Sequence, residues 1–109
     1  MANYLLLFLG RAAQPAADDD ETVAYTARWR EYMGGLAQSG QLRAGAPLVP
    51  SGRLVAGDGV TDLELAEVDI GGFLVIEADS LGAAEDIAGR APHIELGGST
   101  IVRECLAVG

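Results

Sequence analysis

Two apolar runs, residues 4–9 and 73–78, constrain the fold of this chain more than any other feature. Tyr4, Leu6 and Phe8 occupy one alternating face of the first run, and Leu5, Leu7 and Leu9 the other. The second run is equally apolar on both faces apart from Glu77. Side chains alternate across a sheet, so a strand apolar on both sides must be covered on both sides. Each run leads through an acidic turn into a helical stretch and then a further strand. The further strands are weaker: residues 42–49 are broken by Gly45 and Pro47, and residues 99–106 mix Ile101 and Val102 with Arg103 and Glu104. Broken or charged strands belong at sheet edges. The order is strand, helix, strand, strand, helix, strand in one domain spanning residues 1–109. The first and third strands are central, as in a split βαβ arrangement, which predicts an α+β fold with a four-stranded antiparallel sheet and two helices on one face.

The helices have legible ends. Asp18 and Glu21 have the spacing of a capping box, and Gly40 closes the first helix. Its apolar stripe is Thr22, Tyr25, Trp29, Tyr32, Met33 and Leu36, with Val23 off it. Asp79 or Ser80 caps the second helix, whose stripe is Leu81, Ala84, Ile87 and Ala88, and Pro92 ends it. Between the second and third strands, residues 50–69 are rich in turn formers. Leu54-Val55 and residues 63–66 predict the two strands of an extra hairpin arm.

Two helices cover only one face of a four-stranded sheet. The central strands are apolar on the other face as well, a patch too large for a soluble monomer. A second copy packed face to face across a two-fold axis meets that need, which predicts a homodimer. The alternative is that the hairpin arm folds back over the sheet.

Charge narrows the partners. The formal charge is −9, and all seven basic residues are arginines. Phosphate backbones and anionic lipid surfaces demand basic neutralisation, so neither nucleic acid nor membrane is expected. The same charge disfavours small anions at low salt and points to uncharged or weakly cationic ligands. The N-terminal apolar run is too short for a secretory signal or a spanning helix, so a cytoplasmic location is expected. The lone Cys105 reads as a small buried hydrophobe. One cysteine and one histidine make a zinc-type site improbable, and no cofactor or metal is expected.

Residues 29–48, WREYMGGLAQSGQLRAGAPL, are similar to the helix, glycine, strand and Gly-Pro segment of YCII-related proteins. Residues 71–102 resemble the C-terminal half of their DGPF-type branch, with Gly-Gly-Phe, an acidic turn before a helix, and a proline turn into Gly-Gly and the last strand. The resemblance implies a ferredoxin-like α+β fold assembled as a dimeric α/β barrel. It also implies either a small-molecule lyase or isomerase, or a binding or regulatory module, since DGPF-type proteins are often associated with alternative sigma factors. The name-giving loop is degraded: Asp62 and Glu67 match, Leu65 stands for the phenylalanine, and the Gly-Pro pair is missing. Where the bacterial YCII type carries a helix histidine, this chain has Trp29.

The candidate chemistry is sparse. His93 is the only side chain with an ordinary pKa near neutrality, which makes it the candidate general acid or base. Glu95, on the same side of an extended segment, is its expected partner, with Asp62 or Glu67 approaching from the loop. A structural role in a turn or an interface is the simpler reading of a lone histidine. Tyr25, Trp29 and Tyr32 are candidates to line an apolar pocket for a small ligand, against the simpler reading of core packing. Gly71-Gly72 and Gly97-Gly98 precede strands rather than helices and cannot cradle phosphate. Residues 18–21, all acidic, read as a solvated helix start rather than a metal site.

Overall fold

The computed structural model describes residues 1–10, 20–49, 51–63 and 70–107. Its elements run β1 (Ala2–Leu9), α1 (Asp20–Gln38), β2 (Leu42–Pro47), β3 (Arg53–Ala56), β4 (Gly59–Asp62), β5 (Ile70–Ala78), α2 (Leu81–Gly89) and β6 (Ser99–Glu104), with a 3-10 helix at Pro92–Leu96. Four strands form an antiparallel sheet in the order β2-β5-β1-β6. The strands apolar on both faces are central and the broken or charged ones lie at the edges, as expected.

Both helices lie on one face. Tyr4, Leu6 and Phe8 of β1 and Leu74, Ile76 and Ala78 of β5 point into the core, where Leu36 of α1 and Ala84, Ile87 and Ala88 of α2 meet them. Alternation sends Leu5, Leu7, Phe73 and Val75 to the other face, where they are half-buried. The register sets Leu5 beside Val75 and Arg103, and Leu7 beside Phe73 and Ile101. That face is a contiguous apolar surface crossing both central strands.

Several boundaries differ from expectation for local reasons. The Ser80 hydroxyl accepts from the Ala83 N–H and makes Ser80, not Asp79, the N-cap of α2. Leu81, expected in the buried stripe, is 51% exposed at the first position of α2. The arm is a separate two-stranded sheet whose chain reverses at Gly57-Asp58. Gly59, at φ 144°, opens β4, so the second strand comes earlier than residues 63–66. Every residue of β3 and β4 is exposed, so these strands do not fold back over the main sheet. Cys105 lies just past β6 and is only half-buried. Asp18 of the expected capping box lies outside the described residues.

Candidate functional site

The two helices meet the sheet differently. Small side chains let α2 lie close to the strands. The stripe of α1 is built of Tyr25, Trp29, Tyr32 and Met33, and only Leu36 at its far end is buried. Beneath α1 the sheet carries no side chain at two positions, Gly45 of β2 and Gly72 of β5. A Cβ on Gly45 would run into the Leu74 side chain and would come 2.8 Å from the Phe73 carbonyl. One on Gly72 would come 3.1 Å from the Ala46 carbonyl and 3.8 Å from the Phe8 ring. A helix held off by aromatic rings above a floor of glycine leaves a cavity of about 430 Å³. Phe8, Tyr25, Trp29 and Met33 supply its bulk, and residues 45–47 and 71–74 its floor and rim.

The aromatic side chains form one edge-to-face assembly. Trp29 meets Phe8 at 5.2 Å, Tyr32 at 5.7 Å and Tyr25 at 6.3 Å between ring centroids. Such pairs contribute about 0.5–1.5 kcal/mol each beyond burial. Two of their polar tips are sealed from water without a hydrogen bond to any protein group: the Tyr25 hydroxyl and the Trp29 indole nitrogen. Burial pushes the Tyr25 phenol up, partly offset by the indole of Trp29 and the Arg28 guanidinium. Tyr32 faces away from this cavity. Its hydroxyl donates to the Ile87 carbonyl at 2.9 Å, tying α1 to α2, and burial pushes its pKa up to about 12.

His93 sits behind the Trp29 wall. It is 1% exposed, stacks on Trp29 at 5.7 Å and 23°, and meets Phe8 edge-on at 5.0 Å. Its Nε2 lies 2.8 Å from the Ser99 carbonyl and 3.1 Å from the Thr100 hydroxyl oxygen. A carbonyl only accepts, so Nε2 carries the proton, and in the neutral ring Nδ1 is a buried acceptor with no partner. The glycine pair before β6 makes room for this ring. Gly97 takes φ 86° to close the 3-10 helix, and a Cβ on Gly98 would lie 2.6 Å from His93 Cδ2 and 2.9 Å from the Leu9 carbonyl.

Among the described residues no carboxylate reaches His93. The segment after Pro92 is a 3-10 helix rather than extended, which turns Glu95 outward to Arg28, 2.6 Å away. Asp62 is on the hairpin arm, paired with Arg53 at 3.3 Å. Glu67 lies outside the described residues. His93 lines neither this cavity nor a second, polar groove of about 480 Å³ between α1 and the end of α2, where Arg28, Tyr32, Gln41, Arg90 and Glu95 gather. Among the described residues no cluster of His, Cys, Asp or Glu could hold a metal ion. None of the described helices is long and apolar enough to cross a membrane. Of the cavity's lining, the aromatic spacing on α1 was readable as sequence, whereas Arg30, Gly45 and Gly72 were missed. The usable signal was a pair of small-residue stretches, residues 44–47 and 71–72, facing one helix stripe.

The YCII-related domain model matches residues 5–105, from β1 to just past β6. The chain belongs to the YCII-related domain family. No curated protein matches it. Among solved structures, it is similar to 5-chloro-2-hydroxyhydroquinone dehydrochlorinase (TftG) from Burkholderia phenoliruptrix in complex with 2,5-dihydroxybenzoquinone, with a TM-score of 0.60 and 18% identity over 95% of this chain and 93% of that one. At that identity the likeness is one of fold.

Proposed function

We propose that this YCII-related chain is a small-molecule-binding or regulatory domain that works as a homodimer, with its ligand in the cavity beneath α1. The cavity itself carries the reading. It is apolar, of a size for one small organic molecule, and lined by Phe8, Tyr25, Trp29 and Met33. TftG, which shares the fold, was solved with a small planar quinone. Calorimetry against a set of small planar ring compounds tests the reading. Binders should exist, and Thr26→Phe, which adds a ring to the cavity lining, should abolish their binding. Undiminished binding in that variant would contradict it.

The open face of the sheet supports the homodimer, because Leu5, Leu7, Phe73 and Val75 would otherwise face water. Light scattering at micromolar concentration should give about twice the 11.3 kDa chain mass. Val75→Arg should dissociate or unfold the pair, and a clean wild-type monomer would contradict the assembly.

One observation favours a second reading, a lyase or isomerase with His93 as general acid or base: the imidazole keeps a bare Nδ1. Against it, Trp29 and Phe8 both line the cavity and both pack on His93, so they shield the imidazole from a ligand held there. This reading requires turnover of a ring substrate that disappears in His93→Gln.

A further inference from the structure

Among the described arginines, four are paired with carboxylates: Arg28 with Glu95, Arg43 with Glu77, Arg53 with Asp62 and Arg90 with Asp86. Arg103 stands on β6 beside Leu5, on the open face of the sheet. Arg30 is different. It projects from α1 one turn beyond Thr26, lines the apolar cavity, and has no carboxylate partner among the described residues. Arg30 is thus an exposed guanidinium at the lining of an apolar cavity that no described carboxylate neutralises. No acidic side chain is part of that lining.

We infer that the ligand of this cavity is a planar ring compound carrying a single negative charge on a carboxylate, enolate or phenolate oxygen, with Arg30 as the residue that selects for the charge. This rests on the cavity being a binding site and adds the ligand's charge and the selecting residue. The ring would lie among Phe8, Trp29 and Met33 over the floor at Gly45 and Gly72. The charged oxygen would face Arg30. Arg30 is exposed, so it stands at the rim of the cavity, where a guanidinium forms charge-assisted hydrogen bonds with such an oxygen and stacks on aromatic faces. The net charge of −9 does not forbid an anion here. At physiological ionic strength repulsion from distant carboxylates is screened within about 8 Å, whereas a direct contact with Arg30 is shorter than that.

Two probes of equal shape separate charge from fit: 2-naphthoate and the neutral 2-naphthamide, titrated calorimetrically into wild type, Arg30→Gln and Arg30→Lys. Wild type should bind the carboxylate at least ~10-fold more tightly than the amide, as charge-assisted hydrogen bonding implies. Arg30→Gln should bind the carboxylate no more tightly than the amide, and Arg30→Lys should keep part of the preference. Equal affinities in wild type would overturn the charge inference and leave the cavity reading standing. A preference that survives in Arg30→Gln would overturn the assignment to Arg30. If neither probe bound, the cavity reading itself would fall, and this inference with it.

Discussion

The two helices cover the same face of one sheet in opposite ways. Over nine residues α2 buries Ala84, Ile87 and Ala88, and its small side chains bring the helix down onto the strands. Over nineteen residues α1 buries only Leu36, because a stripe of Tyr25, Trp29, Tyr32 and Met33 stands above glycine and leaves a gap. Close packing contributes stability in proportion to the contacts it makes. The gap forgoes those contacts. The α2 half is therefore the better packed, and the α1 half holds the cavity proposed as the binding site.

The largest difference should appear on truncating a core side chain in each half. Ile87→Ala, under α2, should cost about 2–5 kcal/mol in urea unfolding, since the surrounding packing cannot collapse into the hole. Tyr32→Phe cuts the tie between the halves and leaves the Ile87 carbonyl without its donor, for about 1 kcal/mol. The same variant sharpens the pH dependence. The folded pKa of Tyr32, about 12, lies above its ordinary 10, so its contribution is fully present below pH 10 and is lost as pH rises towards 12. Tyr32→Phe should show a shallower alkaline loss of stability than wild type. The smallest effect belongs to Met33→Ala, at under ~1 kcal/mol, because a half-buried side chain at an existing cavity loses few contacts. Equal costs for Ile87→Ala and Met33→Ala would remove the distinction between the halves.

Most of the fold was legible because periodicity reports burial directly. The doubly apolar β1 and β5 had to be central, and the Gly45 and Pro47 interruptions had to lie at an edge. The site was legible only where side chains signal it. Tyr25 and Trp29 are at the cavity, whereas Tyr32, on the same stripe, turns to α2. The close-packed glycines of the cavity floor leave no periodic trace, so Gly45 reads as a strand break and Gly72 as the lead into a strand. Glu95 was misplaced because Pro92 starts a 3-10 helix where an extended segment was expected, and a rotation of that size takes a carboxylate from a histidine to an arginine. Gly98 read only as a residue before a strand, although its lack of a Cβ is what admits the His93 ring against Leu9.

The most direct test of the division between the halves is amide and indole NMR of the full chain titrated with 2-naphthoate. The Trp29 indole N–H and the amides of Gly45, Gly71 and Gly72 should shift together and saturate, while Ala84, Ile87 and Ala88 stay in place. Saturable shifts confined to α2, to the groove beside Arg90, or to the open face of the sheet would contradict a binding site beneath α1.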